Sequence, residues 1–368
     1  MKSINILHIT EDFSFNSGGL RTVINDLNKH LNSLQHVNSY ILSSRQEKGD
    51  DIELVENSQS RPWLYSSLWH KKLKYLTHVK KIDVIHIHGV WMYPQFASAR
   101  YALENDLPFI ISTHGMYEPW LWKQGYLKKI IYFKFLVKSY FNKANAIHAI
   151  TLNEKENLQK LLGEEINIQL IPNFIATENI PFIKKGSKDE RYILFLGRIH
   201  LVKGIKILIE SFLKINPEGF KLKIAGPEND YSRELKSYVS QFDSGEKIEF
   251  LGVIKGYKKY KLYKEAHVFV APSYSEVIGM VNLEAGIMKT PVITTYQTGL
   301  SKEWNEHGGI LINPNVSELE DALEKAISWT QEDRKSRGEM LREFVLDNYS
   351  WERNLNRWRE LYENLLRN

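Results

Sequence analysis

Short runs of apolar, often β-branched residues recur along the chain, and segments of helical periodicity or polar composition separate them. The first run, residues 4–9, is followed by Ser17-Gly18-Gly19 and then by apolar residues at helical spacing, namely Leu20, Val23, Ile24, Leu27 and Leu31. Further runs occupy residues 84–88, 108–112, 146–150 and 168–171. Buried strands that alternate with helices are typical of βαβ units, so the pattern predicts a parallel sheet.

The same pattern starts again after residue 190. A run at residues 192–196 leads into Gly197-Arg198 and a helix bearing Ile205, Leu208, Ile209 and Phe212, and later runs cover residues 220–225, 247–251, 267–271, 292–295 and 310–312. Residues 172–190 have no sustained periodicity and are predicted to be a linker. The 368 residues also exceed the roughly 250–300 that one hydrophobic core serves. We therefore predict an α/β fold with two doubly wound, Rossmann-like domains, residues 1–175 and 190–345.

The predicted architecture indicates where a ligand should bind. In open α/β sheets, ligands lie beyond the carboxyl ends of the strands. With two such domains facing each other, we expect the site in the cleft between them, with its chemistry on strand-to-helix loops.

Composition narrows the class of protein. Hydrophobic residues make up 43% and charged residues 25% of the chain, which is ordinary for a soluble globular protein. A net charge of +5 does not indicate nucleic-acid binding, and the lack of cysteine excludes disulfides and thiolate chemistry. The first apolar run is too short and polar for a signal peptide, and no run of about 18 uncharged apolar residues occurs, so we expect a cytoplasmic location.

The segment 272–286, which follows the strand at 267–271, carries the most specific chemistry. Gly279 allows a close backbone approach, and the free N–H groups of the helix start that follows it can bind phosphate oxygens. Glu276 would then lie beside a sugar carried by the diphosphate, and Glu284, about two turns later, could reach a ribose. The alternative is that both glutamates merely stabilise the helix start through its dipole, by about 0.3–1 kcal/mol each.

Two cations follow the first strand of the second domain. Arg198 and Lys203 come at the end of that strand and the start of its helix. They can stabilise the charge that develops on a leaving nucleotide diphosphate, as a magnesium ion would elsewhere. Because the chain contains no Asp-x-Asp triplet, a common metal-binding signature, we expect no bound metal. No other cofactor is expected. A solvated pair of cations at a helix start is the alternative.

Glycines and histidines mark the corresponding loops of the first domain. Gly18 and Gly19 supply a backbone that can approach a phosphate or an acceptor, and no dinucleotide fingerprint or Walker A loop is present. His114 directly follows a predicted strand and can donate to a sugar hydroxyl. His86, His88 and His114 could also be arranged as a zinc triad, but in so apolar a strand His86 is interpreted as a satisfied core histidine.

A lysine-rich and aromatic segment, residues 119–143, lies in a stretch without acidic residues between Glu118 and Glu154. Such a basic, amphipathic face suits an anionic membrane surface, and a peripheral association with the membrane is one interpretation. A surface helix with its apolar side in the core is the other.

These motifs in this order resemble the glycosyltransferase family 4 enzymes of the GT-B fold, particularly those that assemble bacterial surface polysaccharides. The likeness is carried by Gly18-Gly19, Thr113-His114-Gly115-Met116 with Pro119-Trp120, Ile171-Pro172-Asn173, Gly197-Arg198 with Lys203-Gly204, and the pair Glu276 and Glu284. Two places depart from the family pattern, Val277-Ile278 after the first glutamate and Thr290 before Pro291.

The resemblance implies roles for individual residues. Arg198 and Lys203 bind the donor diphosphate, Glu276 holds the transferred sugar, Glu284 holds the ribose, and His114 touches the sugar near the reacting carbon. The donor-binding set also includes Gly18, Gly19, Ile278, Gly279, Met280 and Val281. The first domain binds the acceptor, and residues 346–368 form a helix that crosses back to it.

The resulting hypothesis is a metal-independent, retaining hexosyltransferase. It moves a hexose or N-acetylhexosamine from a UDP- or GDP-linked donor to an oligosaccharide, linked to polyprenyl diphosphate, in surface polysaccharide, O-antigen or capsule synthesis. Two alternatives stay open, a non-catalytic nucleotide-sugar-binding assembly protein and a GT-B phosphorylase or sugar-nucleotide epimerase.

Overall fold

The computed structural model describes residues 3–56, 62–118, 126–183 and 190–367. They form two compact units. Unit 1 comprises the described residues of Met1–Phe174 and Trp351–Asn368, and unit 2 is Ile175–Ser350. None of the helices in the described ranges combines the length and hydropathy of a bilayer-spanning segment.

Unit 1 contains a parallel sheet of seven strands in the order β3-β2-β1-β4-β5-β6-β7. The strands are β1 (Ile4–Thr10), β2 (Val37–Ser43), β3 (Glu53–Leu54), β4 (Val84–His88), β5 (Phe109–Ser112), β6 (Ala146–Ala149) and β7 (Ile168–Leu170). The predicted runs at β1, β4, β5, β6 and β7 are confirmed, whereas β2 and β3 were not predicted. Asn38 and Ser39 interrupt the apolar pattern of β2, and β3 has only two residues.

Helices cover the sheet of unit 1, which is why strands such as β4 are buried along their whole length. They are α1 (Gly19–Leu31), α2 (Leu68–Val79), α3 (Tyr93–Glu104), α4 (Tyr126–Tyr132), a π-helical turn (Phe133–Val137), α5 (Lys138–Phe141) and α6 (Leu152–Leu162). The helix predicted from Leu20 to Leu31 corresponds to α1, in which Ile24, Leu27 and Leu31 are buried.

Unit 2 contains a second parallel sheet, of six strands in the order β10-β9-β8-β11-β12-β13. The strands are β8 (Arg191–Leu196), β9 (Phe220–Ala225), β10 (Ile248–Gly252), β11 (Val268–Ala271), β12 (Val292–Thr295) and β13 (Ile310–Ile312). The helices are α7 (Ile205–Ile215), α8 (Asp230–Val239), α9 (Gly256–Glu265), α10 (Met280–Ile287), α11 (Val316–Ile327) and α12 (Gln331–Tyr349). Every strand predicted for the second domain is present.

The last helix, α13 (Trp351–Leu365), returns to unit 1. Its side chains Trp358, Leu361 and Tyr362 share one buried cluster with Ile6 of β1 and Val84 of β4. Burial of a large apolar side chain contributes about 1.5–3 kcal/mol, so these residues hold the end of the chain on the first sheet. The predicted crossing of the C-terminal helix is confirmed.

Candidate active site

The strand order of unit 2 brings two loops together that are distant in sequence. The strand order reverses between the neighbouring strands β8 and β11, and ligands of open α/β sheets bind in the crevice at such a switch point. Lys203 lies on the loop after β8, and Glu276 lies on the loop after β11. The two loops touch directly, since the Tyr274 N–H donates to the Val202 carbonyl over 2.8 Å.

Lys203 and Glu276 form an ion pair, with the Lys203 ammonium donating to the Glu276 carboxylate. Their side chains are 12% and 19% exposed, so the pair is largely buried but still in contact with solvent. Ser273 Oγ donates to Glu276 Oε2 over 3.2 Å, and the Glu276 N–H donates to the Gln297 carbonyl over 3.0 Å. Several contacts therefore fix the predicted carboxylate beside the predicted cation.

Glycines make this close approach feasible. Gly204 has φ of +65°, and a Cβ added there would lie 2.1 Å from the Pro272 carbonyl oxygen. A Cβ on Gly279 would lie 2.6 Å from Asn282 Nδ2 and 3.1 Å from Glu276 Oε2. A larger residue at position 204 would push the two loops apart, and one at position 279 would displace the side chains of Asn282 and Glu276.

The predicted backbone segment opens α10 beside the ion pair. Gly279 is the N-cap of α10, Ile278 is buried before it, and Met280 and Val281 begin the helix. No side chain among the described residues caps these first amides. Uncapped N–H groups at a helix start favour a bound anion.

Glu284 lies further along α10 with two partners that the sequence reasoning missed. Lys259 Nζ donates to one carboxylate oxygen over 2.8 Å and the Tyr263 hydroxyl donates to the other over 2.9 Å. Burial raises the pKa of Tyr263 well above its ordinary value, and the Glu284 charge adds to this rise, so the phenol stays a donor. Both partners come from α9, and no local pattern pointed to it.

Arg198 is exposed on the loop after β8 and makes no ion pair with another described residue. Its place on the Lys203 loop follows from the turn at Gly197, whose N–H donates to the Ala225 carbonyl over 3.0 Å. The guanidinium is therefore available to an anion.

Gly18 and Gly19 lie at the start of α1, as predicted. Gly18 is the N-cap with φ of +59°, and α1 has no side-chain cap among the described residues. A Cβ added to either glycine would meet no atom within 4 Å. The backbone here faces open space, so a ligand could approach it.

His114 follows β5 and is held in an uncommon backbone conformation, with φ of +49°. A non-glycine residue in this region is strained, and such residues concentrate at functional sites. The buried carboxylate of Glu154 supports the loop on both sides of His114. It accepts from Thr113 Oγ1 over 2.5 Å, from the Gly115 N–H over 2.6 Å and from the Ile150 N–H over 2.7 Å.

The sequence reasoning missed the role of Glu154, although its position at the third residue after Thr151 was a legible capping signal. Thr151 Oγ1 accepts from the Glu154 N–H over 3.1 Å at the start of α6. Burial raises the pKa of Glu154, and the three donated hydrogen bonds oppose that rise.

His86 is a satisfied core histidine, as interpreted. Its Nδ1 lies 2.8 Å from the Tyr362 hydroxyl and its Nε2 lies 2.7 Å from Ser112 Oγ. Ser112 Oγ in turn lies 2.8 Å from Nδ1 of His148. The structure does bring nitrogens of His8, His86 and His88 within 4.8 Å of one another. The zinc triad considered for His86, His88 and His114 thus differs from this group, which contains His8 instead.

The fold and these loops define a GT-B glycosyltransferase, and the comparisons with known proteins agree. Residues 17–179 match the family model "Glycosyltransferase Family 4", and residues 176–343 match "Glycosyl transferases group 1". An uncharacterised glycosyltransferase of Methanocaldococcus jannaschii is 31% identical over 311 residues, which are 74% of this chain and 73% of that protein. The chain belongs to glycosyltransferase family 4.

Two further comparisons are more distant. The O-antigen chain mannosyltransferase RfbU of Salmonella typhimurium is 25% identical over 58% of this chain and 62% of its own length. The solved structure of Anabaena HepE in complex with UDP-glucose has a TM-score of 0.78 at 16% identity and covers 98% of this chain and 100% of its own. Likeness at this level supports the fold.

Proposed function

We propose that this glycosyltransferase moves a hexose or N-acetylhexosamine from a nucleotide diphosphate to an acceptor hydroxyl, without a metal ion and with retention of anomeric configuration. The observation that carries the proposal is the Lys203–Glu276 pair beside the uncapped amides of α10. A diphosphate needs cations and N–H donors, and a sugar needs hydrogen-bond acceptors such as a carboxylate. Both kinds of group occur here side by side.

The donor replaces the internal partner of Lys203. When the diphosphate binds, Lys203 and Arg198 pair with its oxygens together with the amides of Gly279, Met280 and Val281. Glu276 then accepts from hydroxyls of the sugar, and Glu284, held by Lys259 and Tyr263, accepts from the ribose. In unit 1, the backbone of Gly18 and Gly19 contacts the donor, and His114 donates to the sugar.

The reaction is a front-face substitution. The acceptor oxygen forms a bond to the anomeric carbon on the face from which the diphosphate oxygen departs, and the acceptor proton passes to a phosphate oxygen. No enzymic nucleophile takes part. Lys203 and Arg198 stabilise the charge that develops on the leaving diphosphate, and preorganised electrostatic stabilisation of this kind is usually the largest single term in catalysis.

The acceptor is proposed to be a lipid-linked oligosaccharide of surface-polysaccharide synthesis, carried on polyprenyl diphosphate. The O-antigen chain mannosyltransferase among the relatives supports this class of acceptor, and the HepE complex with UDP-glucose supports a nucleotide-sugar donor. The two names point to different sugars, so UDP- and GDP-linked donors both enter the test.

A lipid-linked acceptor lies in a membrane, and the segment α4–α5 exposes apolar and basic side chains that can bind a membrane surface. Leu127, Ile131 and Phe135 recur every four residues and are 74%, 58% and 77% exposed. Lys134 and Lys138 are exposed in the same segment, whereas the opposite face is buried in the core through Phe133, Val137 and Phe141. An apolar stripe flanked by lysines fits an anionic lipid surface at the cytoplasmic face of the membrane. Residues 119–125 of the predicted segment lie outside the described ranges.

Binding to vesicles tests the membrane part separately from catalysis. We expect the protein to co-sediment with vesicles of anionic phospholipid and not with phosphatidylcholine alone. The double substitution Leu127→Ser and Phe135→Ser should abolish this binding, whereas Tyr75→Ser, at a residue 56% exposed elsewhere on unit 1, should not. Equal binding by both variants would contradict the assignment.

A donor screen followed by product analysis tests the catalytic part. The cognate UDP- or GDP-sugar should raise the melting temperature, because a ligand of the folded state stabilises it. That donor should then yield an α-linked product from an α-linked donor, at an unchanged rate in excess chelator. Strict metal dependence or inversion would refute those parts. Binding without transfer would favour an assembly protein, and release of sugar phosphate or an isomerised donor would favour a phosphorylase or an epimerase.

A further inference from the structure

Three imidazoles form a continuous hydrogen-bonded chain across unit 1. His8 lies in β1, His88 is the last residue of β4, and His114 follows β5. His8 Nδ1 lies 2.8 Å from His88 Nε2, and His88 Nδ1 lies 2.9 Å from His114 Nε2. This row of hydrogen-bonded imidazoles therefore runs from inside the sheet to His114, the residue proposed to touch the sugar.

All three rings are neutral at neutral pH. His8 and His88 are buried, and burial lowers the pKa of His8 and His114 to about 3 and that of His88 well below its ordinary value. A neutral imidazole carries one N–H and one lone pair. Each ring can therefore donate once along the chain, and only two directions of donation exist.

The environment of His8, at the buried end of this row of imidazoles, distinguishes the two directions of donation. His8 Nε2 is buried and has no hydrogen-bond partner among the described residues. If donation runs from His114 to His8, the N–H of His8 must lie on that nitrogen, and a buried N–H without an acceptor is costly. If donation runs from His8 to His114, only a lone pair is left without a donor there. The second direction is favoured.

We infer that His88, backed by His8, is a positioning residue that fixes His114 in the tautomer with its proton on Nδ1. His88 donates to His114 Nε2, so His114 presents Nδ1–H as a donor to a neutral sugar hydroxyl. His114 Nδ1 has no hydrogen bond to any described residue, and His114 as a whole residue is only partly buried, so this N–H is available to a ligand. The functional consequence rests on the proposed role of His114 at the donor sugar.

A metal ion is the competing explanation for clustered histidines. The rings of His86 and His88 are stacked, with centroids 4.1 Å apart and planes 29° apart, so they present faces to each other. Both nitrogens of His86 and both nitrogens of His88 already have hydrogen-bond partners. Ligation by these residues would require those bonds to break, whereas the hydrogen-bonded chain needs no rearrangement.

Nitrogen NMR of the full-length protein labelled with 15N-histidine tests the inference directly, because the two tautomers of imidazole give different ring-nitrogen shifts. The resonances of His114 are assigned by their loss in His114→Ala. We expect Nδ1 of His114 to be protonated in the wild type. His88→Asn keeps an amide N–H donor close to the position of Nδ1 and should preserve that tautomer, whereas His88→Leu should give a mixture.

Kinetics add a second readout. His88→Leu should lower kcat/KM about tenfold, the effect of one lost hydrogen bond, and His88→Asn should recover most of that loss. If His88→Leu does not fold, His8→Phe supplies the test, because it removes the donor behind His88 and should also mix the tautomers of His114.

The outcomes separate the inference from the proposed function. A proton on Nε2 of His114 in the wild type, an unchanged tautomer in both His88→Leu and His8→Phe, or stoichiometric zinc in the dialysed protein would overturn the inference. Wild-type transfer by His114→Ala would instead refute the role of His114 at the sugar, while the tautomer result would stand.

Discussion

The two units carry their candidate groups at the carboxyl ends of similar parallel sheets, but the chemistry of the groups differs. In unit 2, the candidate side chains form ion pairs, Lys203 with Glu276 and Lys259 with Glu284. In unit 1, the side chains around His114 are neutral imidazoles and one buried carboxyl group. The same fold therefore supports an ionic site in one unit and a neutral one in the other.

This difference suits the two parts of a nucleotide sugar. The diphosphate is strongly anionic and requires cations, whereas the sugar offers only hydroxyl groups. A neutral imidazole can donate to a hydroxyl without attracting a phosphate to the wrong place.

Acid should affect the units unequally, and this is the largest expected effect. Burial lowers the pKa of His8 and His114 to about 3, that of His148 to about 4, and those of His86 and His88 well below 6.5. Below about pH 6.5 these histidines bind more protons in the unfolded chain than in the folded one, so their contribution makes the free energy of unfolding fall as the pH falls. Each histidine contributes up to about 1.4 kcal/mol per pH unit.

Unit 2 is the internal control for this effect. There His267, whose pKa burial lowers to about 4, contributes with the same sign but as a single group. Hydrogen exchange at pH 7 and pH 5, corrected for intrinsic rates, should show greater loss of protection in β1 and β4 than in β8 and β11. Equal losses would show that the histidines do not set the acid response.

Loss of a charged group in unit 2 should reduce turnover strongly. Lys203→Ala, Arg198→Ala and Glu276→Ala should each lower kcat by about 10²–10³, because these groups act on charge or on the sugar in the transition state. Steady-state transfer kinetics measure the effect. Lys214→Ala is the matched control, since Lys214 lies on α7, is 70% exposed and pairs with Glu320. Near-normal transfer by all three variants would remove the basis of the ionic site.

Loss of the carboxylate that supports the His114 loop should reduce both stability and transfer. Glu154→Gln retains the size but removes one of the acceptors shared by Thr113, Gly115 and Ile150, so the free energy of unfolding should fall by about 1–3 kcal/mol in urea titrations. Glu156→Gln, at an exposed position on the same helix, should leave both properties unchanged. A stable Glu154→Gln variant with normal kcat would contradict the assigned support.

A methyl group at Gly19 should have the smallest effect on the fold and a selective effect on binding. Because an added Cβ meets no atom within 4 Å, Gly19→Ala should shift the free energy of unfolding by no more than about 1 kcal/mol. Donor KM should nevertheless rise if the backbone of α1 touches the donor. Unchanged KM would take Gly19 out of the site. Gly279→Ala is the contrasting variant, since its Cβ collides with Asn282.

Local pattern alone was sufficient to predict the α/β class, most strands and the glutamate loop. The apolar runs of β4 and β11 are buried on both faces, so both strands can be recognised from their own composition and length, without knowledge of the strands beside them. Strand β2 was missed because Asn38 and Ser39 break its pattern, and Ser39 is accommodated by bonds with Asn32.

The candidate residues could also be selected from local pattern, but their partners in the structure could not. Lys203 and Glu276 are 73 residues apart and meet because β8 and β11 are neighbours, which the sheet order decides. Glu154 reaches the His114 loop across 39 residues, and Tyr362 reaches His86 across 276.

By itself, then, the sequence determined the α/β class, most of the strands and which side chains could carry charge or donate a proton. The tertiary structure alone decided which of those side chains meet, and whether a histidine is charged or neutral. The physical reason is that periodicity is a local property, whereas hydrogen-bond partners and desolvation depend on contacts between segments that are distant along the chain.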